Sequence, residues 1–328
     1  MRHRRSSFRL RRATPLLLIV LAGEPVLAGE RYAMVVTGAS GGEVYAQKYD
    51  GWRATLVSTL TDTFGYSADR LRIFAENEGD GVMKATRENV VRVLLDLRKR
   101  LSRDDQLLVV LIGHGTSLDG EDAKFNLVGP DLSASEWADL LKPMPGRVLF
   151  VNTTGASFPF LQKLAGRGRV VLTATDSAAQ QFETIFPEYF VNAFVDAAAD
   201  ADKDGRVSLW EAFAFASAGV RQWFEHKGQL PTERPLLDDT GAGVGREAGN
   251  PGPDGQIAAR TFVEPESTPS APADTSLGAL QKRRAELEAQ IEELKARKPS
   301  MPPDQYDAEL ERLLVELARV VQQIKAKS

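Results

Sequence analysis

The 328-residue chain is 43% apolar, 26% charged and 8% aromatic, long and apolar enough for one or two packed cores and unlike a disordered polymer. It contains no cysteine, which excludes disulfides, thiolate metal centres, lipidation on sulfur and a cysteine nucleophile. The formal charge of −4 is unevenly spread: six arginines and one acid fall in residues 1–28, leaving 35 basic against 44 acidic side chains, near −9, a body with no positive field for nucleic acid.

Arg2, Arg4, Arg5, Arg9, Arg11 and Arg12 precede an apolar run over 15–22, and Val26-Leu27-Ala28 places small residues before Gly29. This is the pattern of a signal peptide over 1–28. The run is too short for a ~30 Å hydrocarbon core. The expectation is an exported protein, periplasmic or extracellular, with no stable membrane anchor after cleavage.

From residue 30 to 240, short β-branched runs alternate with amphipathic stretches, the signature of an α/β domain with a mostly parallel sheet. Residues 32–37 (YAMVVT) read as a buried strand ending at a Gly-rich turn, 38–42, and 49–64 carry Trp52, Leu56, Leu60 and Phe64 at helical spacing. A short strand follows over 71–74. Thr86 is placed to cap a helix over 89–101 whose broad apolar face holds Val90, Val93, Leu94 and Leu97. The run 107–112 (LLVVLI), the most hydrophobic outside the leader, predicts a central strand buried on both faces and stopping at Gly113-His114-Gly115. Ser133 or Ser135 is the expected cap of a short helix to 141. Strands are predicted over 147–152 and 169–175, and closing helices over 186–198 and 210–224.

Residues 241–275, rich in Gly, Pro, Ser and Ala, read as a flexible linker. Beyond it, Leu277, Leu280, Leu287, Ile291 and Leu294, then Tyr306, Leu310, Leu313, Leu317, Val320 and Ile324, recur at heptad-like spacing across a break at Pro299, Pro302 and Pro303. An α-helical hairpin or coiled coil is therefore expected over 276–326, with an apolar stripe suited to self-association or to a partner helix.

Two strands whose carboxyl ends carry His-Gly and a small polar cluster would deliver both to one sheet edge, where open α/β sheets bind ligands. Those segments, VVLIGHG (109–115) and RVLFVNTTGASF (147–158), resemble the legumain-like (hemoglobinase) cysteine peptidases of caspase-like fold, and the resemblance extends over about 31–190. It implies a caspase-like α/β domain with His114 at the catalytic histidine position, Gly115 at the oxyanion glycine, Thr154 where the nucleophilic cysteine stands and Thr153 at the small residue before it. Other family positions differ too. The aspartate before the histidine is Gly113, the asparagine after the first strand is near Ser40, and the Arg-His pair that reads substrate asparagine falls near Ala46 and Gln47.

A threonine alcohol is far less acidic than a thiol and needs a closely placed base. Three readings follow. In the first, the chain is a catalytically inactive peptidase homologue whose former substrate cleft binds a peptide or protein segment. In the second, it is a hydrolase in which His114 activates Thr154, or Thr153 or Ser157, with Asp119, Glu121, Asp122 or Asp176 orienting the imidazole. In the third, the globular part is a spacer and the helical hairpin carries the function. For Thr153, Thr154 and Ser157 turn and capping chemistry competes with ligand contact, and His226 reads as a solvated helix end.

A separate signal lies at 200–211 (DADKDGRVSLWE), which matches the twelve-residue EF-hand-like calcium loop. Carboxylates of Asp200, Asp202, Asp204 and Glu211, the Arg206 carbonyl and Ser208 would supply oxygens to Ca2+, with Gly205 at the sharp turn; the competing reading is an acidic interhelical loop held by Asx turns. The following 238–245 segment has too few side-chain oxygens for a second loop of this kind, although it is positioned to cap or share the first ion. The Gly-rich turns lack the Lys-Ser/Thr of a phosphate loop.

Overall fold

The computed structural model describes residues 29–265 apart from 119 and 121, and 280–325 in part. The expected leader, most of the expected linker's second half, Leu277, and the candidate carboxylates Asp119 and Glu121 lie outside the described residues. Among those described, no helix is long and apolar enough to cross a membrane.

The centre is a seven-stranded sheet built from β1 (Arg31–Thr37), β2 (Leu71–Ala75), β3 (Val82–Lys84), β4 (Gln106–Ile112), β8 (Arg147–Asn152), β9 (Arg169–Thr173) and β10 (Leu236–Asp238). A three-stranded flap interrupts this order with β5 (Gly115–Thr116), β6 (Lys124–Phe125) and β7 (Leu132–Ser133). The main sheet runs β10-β9-β8-β4-β1-β2-β3, parallel throughout except for β10. Its five long parallel strands have the doubly wound order 2-1-3-4-5, with the switch point between β1 and β4. All seven residues of β4 are buried, as a strand covered on both faces requires.

Helices α1 (Glu43–Ser58), α5 (Phe186–Asn192) and α6 (Leu209–Lys227) pack one face through Leu56, Phe186, Phe190 and Phe213. Helices α2 (Arg87–Arg100), α3 (Ala134–Leu141) and α4 (Phe158–Leu164) pack the other through Leu94, Trp137 and Phe160. The mostly parallel, helix-flanked sheet expected for the fold class is the one observed. Thr86 caps α2, and Ser133 with Glu136 forms a capping box on α3. Helix α1 begins six residues before the predicted start, because its first residues, Glu43 to Lys48, include no buried side chain and the buried face starts only at Tyr49. The closing helix expected over 186–198 stops at Asn192, with a separate short turn over 197–199.

The linker expectation needs correction, since 241–265 fold back onto the domain. Arg246 bridges Leu237, Phe262 bridges Ser208, and Ala258 and Val263 are buried. Three buried carboxylates provide what strands or helices would otherwise supply. Asp238 accepts the N–H groups of Gly241 and Gly243; Asp239 accepts those of Gly255, Ile257 and Ala258; Asp254 accepts those of Asp239 and Thr240. Gly241, Gly243 and Gly245 sit at φ of 79°, 70° and 69°, so the glycines that resemble linker composition are turn positions. Beyond 265, helical residues between 280 and 295 lie against α7 (Pro303–Lys325), with Leu287, Ile291 and Leu294 packed on Tyr306, Leu313 and Val320.

Candidate functional site

The switch point places the ends of β1 and β4 side by side, and there His114 stands. Gly113, at φ 148°, turns the chain out of β4 where a side chain would be strained. The imidazole lies against the first turns of α1, edge-on to Tyr45 and Tyr49 with ring centroids 4.7 and 5.4 Å away. Its Nε2 donates to the Ser40 carbonyl oxygen at 2.9 Å, which assigns the Nε2–H tautomer. The Tyr49 hydroxyl lies 3.3 Å from Nδ1 and 3.1 Å from Nε2, and the lone pair on Nδ1 is the acceptor that this tautomer leaves. Burial raises the Tyr49 phenol pKa, with the Glu183 and Tyr45 charges adding to it, so the hydroxyl stays a donor. Both ring nitrogens are thus held on the β1 side.

Thr154 follows β8 and is fully buried. The resemblance places Gly115 and Thr154 together, and the structure does so: a Cβ on Gly115 would stand 2.6 Å from Thr154 Oγ1 and 2.1 Å from the Gly155 oxygen. The imidazole is not part of that contact. Thr154 Oγ1 lies 2.8 Å from Asn152 Oδ1 and 3.0 Å from the Gly155 oxygen, acceptors for its single proton, and no hydrogen bond joins it to His114. Thr153 Oγ1 donates to the Leu111 oxygen at 2.7 Å. Ser157 Oγ, buried as well, accepts from Ala174 N and Thr175 N and pairs with Thr175 Oγ1. It does not cap α4. Thr153 and Ser157 tie the β8 end to β4 and β9, Thr154 closes the turn after β8, and none of the three hydroxyls is hydrogen-bonded to His114.

The described carboxylates proposed to orient His114 are engaged elsewhere. Asp122 accepts Ser135 N, and Asp176 pairs with Arg234 at 3.0 Å. Ala46, at the expected substrate-reading position, lines a small hollow of about 50 Å³ with Ser40, Tyr49 and Glu76.

Sequence reasoning missed a strap over this edge, residues 180–184. Gln180 oxygen accepts Ala156 N at 2.6 Å; Gln181 exchanges two hydrogen bonds with the Ser117 backbone; Glu183 pairs with Lys48 at 2.6 Å; Thr184 Oγ1 donates to the Thr153 oxygen. The strap lies so close that a Cβ on Gly155 would approach the Phe182 oxygen to 2.8 Å. Ala156 adopts φ 50° beneath it. Three large apolar side chains around this edge, one in the first turn of α1 and two on loops, point outward: Val44 is 68% exposed, Leu118 99% and Phe182 70%.

The acidic loop forms a second centre. Carboxylate oxygens of Asp200, Asp202 and Asp204 lie within 4.8 Å of one another. Asp200 accepts Asp204 N and Gly205 N, and Ser208 caps α6 in a capping box with Glu211. Glu211 Oε1 accepts Ala201 N and Asp202 N, so it closes the loop and stands outside the triad of aspartates. Burial, more than their neighbours' charge, raises the pKa values of Asp202 and Asp204. Hard oxygen donors on such a loop suit Ca2+. The Arg206 guanidinium is taken by Glu264 at 2.9 Å, and Arg284 lies 3.6 Å from Asp204. Asp238 and Asp239 are spent on backbone N–H groups and do not join the cluster. His226 sits in the last turn of α6, as its position predicts.

Glu233, a second residue that sequence reasoning passed over, is buried at the start of α5, where its two oxygens accept Ile185 N and Phe186 N at 2.8 and 3.0 Å. Burial pushes its pKa up to about 7 despite those donors. It borders a cavity of about 510 Å³. Its one sequence signal is an acid between Pro231 and Pro235, too general to single out.

No protein-family model matches the chain, and no curated protein sequence matches it. Among solved structures it is similar to protein GSU0716 from Geobacter sulfurreducens, with TM-score 0.42 and 14% identity over 66% of this chain and 97% of that one. It is also similar to the Drosophila initiator caspase Dronc, with TM-score 0.41 and 13% identity over 72% of this chain and 84% of that one. Both are likenesses of chain path alone.

Proposed function

We propose that this is an exported homologue of the legumain-like peptidases whose sheet edge binds an apolar peptide or protein segment without cutting it. The observation that carries the reading is the state of Thr154: buried, its proton directed to Asn152 and Gly155, while both nitrogens of His114 are held by Ser40 and Tyr49. A nucleophile needs a base within hydrogen-bond reach and an open approach, and Thr154 has neither. Binding is supported by the collar of Val44, Leu118 and Phe182 around the same edge, apolar side chains of the kind that anchor partner segments. Surface plasmon resonance against a panel of short apolar and polar peptides tests it. The apolar members should bind, and Phe182→Ala and Leu118→Ser together should weaken them about tenfold. Equal response from both peptide sets, or indifference to both substitutions, would contradict it.

The reading extends to a structural calcium ion on loop 200–211, held by Asp200, Asp202 and Asp204, with the Arg206 carbonyl, Ser208 and Glu211 completing the oxygen set once Glu211 exchanges its bonds to Ala201 N and Asp202 N for the ion. An ion bound only by the folded chain stabilises it, by about 2.7 kcal/mol at a hundredfold excess over Kd. Melting in millimolar Ca2+ against chelator should raise Tm for the natural chain and not for Asp200→Ala. Identical curves for the natural chain would remove the site.

A further inference from the structure

The face of α7 opposite its packed seam carries an order of charges that fits a second copy of itself. The seam residues Tyr306, Leu313 and Val320 are buried, while Leu314 and Val315 are 47% and 45% exposed on the other side. An open apolar hollow on that side is lined by Leu310, Leu314, Val315 and Ala318, flanked by Asp307 and Glu311. At 100° per residue, Glu311, Val315 and Arg319 fall on one line along the exposed face, and a neighbouring groove also brings these three together. Neither Glu311 nor Arg319 has an ion-pair partner among the described residues, whereas Arg312 is paired with Glu309 and Glu316. Asp304, Asp307, Glu309 and Glu311 make the first part of the helix wholly acidic; Arg312, Arg319 and Lys325 outnumber Glu316 in the rest.

We infer that two copies of the chain associate through this face with their α7 helices antiparallel, about a two-fold axis passing near Val315. That arrangement sets Glu311 of each copy opposite Arg319 of the other, twice, and brings the apolar centre onto itself. A two-fold contact of this kind is self-complementary and closes at a dimer. The parallel alternative places Glu311 on Glu311 and Arg319 on Arg319, so charge selects the antiparallel one. The contact leaves each seam with residues 280–295 intact, so the two α7 helices meet back to back. Acids at the start and bases at the end of a helix also favour its own dipole; that effect accounts for the gradient but not for an exposed apolar centre between two unpaired charges.

The natural absence of cysteine makes the test clean. Full chains carrying Val315→Cys, Glu311→Cys or Arg319→Cys, all surface changes, are treated with a short bismaleimide at micromolar concentration beside sedimentation of the natural chain. The expected result is a dimer, crosslinked with itself at position 315, not at 311 or 319 alone, but crosslinked when the 311 and 319 variants are mixed. Glu311→Arg and Arg319→Glu should each raise the dimer dissociation constant about tenfold, and the double swap should restore it. A monomer, a dimer that none of these positions crosslinks, or self-crosslinking at 311 would each overturn the proposal.

Discussion

Thr154 and Glu233 show how burial decides what a polar side chain can do. The Thr154 hydroxyl, 2.8 Å from Asn152 Oδ1, acts as a fastener between the β8 end and the turn after it. Thr154→Val removes that donor and leaves the backbone bond from Thr154 N to Asn152 in place. It should cost about 1 kcal/mol in denaturant unfolding. Glu233 predicts a pH effect of definite sign. Its folded pKa of about 7 stands above the ordinary 4.5, so between those values the folded chain holds a proton that the unfolded chain has lost. Stability therefore falls as pH rises from about 4.5 to 7 and stays lower above, by up to about 3 kcal/mol. Glu233→Gln should flatten that part of the Tm profile; an unchanged slope would show that other groups govern it.

At the scale of elements, the contact between α5 and α6 rests on Gly219. A Cβ there would meet the Tyr189 ring at 2.3 Å. Alanine gains about 1 kcal/mol of helix propensity, but displacing a packed ring costs roughly 1–3 kcal/mol. The overlap is severe enough for the cost to win, so Gly219→Ala should lower Tm. Elements with strong internal patterns were readable without the structure: β4 from its unbroken apolar run, α2 from its apolar face and Thr86 cap, α6 from the acidic loop that introduces it. Elements made by long-range contact were not. The three residues of β10 carry no pattern of their own and exist because β9 offers an edge; 241–265 are held by Asp238, Asp239 and Asp254, whose partners are backbone groups that no side-chain pattern reveals. The same division runs through the site. Spacing predicted that the segments after β4 and β8 share one sheet edge, because parallel strands fix where their ends lie, and the resemblance paired Gly115 with Thr154 there; but the direction of the His114 ring depends on Ser40 and Tyr49, and the strap on Gln181 reaching Ser117.

For the molecule as a whole, the sheet provides a rigid edge, the loops an apolar collar, and the C-terminal helices a separate surface. On the proposed reading, a chain with this arrangement holds partners at two places, and a cleft without a working nucleophile is the premise of the first. The most direct measurement is turnover of a broad peptide-substrate panel, run with a hydroxyl-directed fluorophosphonate probe, on the natural chain beside Thr154→Ala and His114→Ala. A cleft that binds without cutting predicts no turnover and no labelling in any of the three; hydrolysis by the natural chain that disappears in both variants would contradict it.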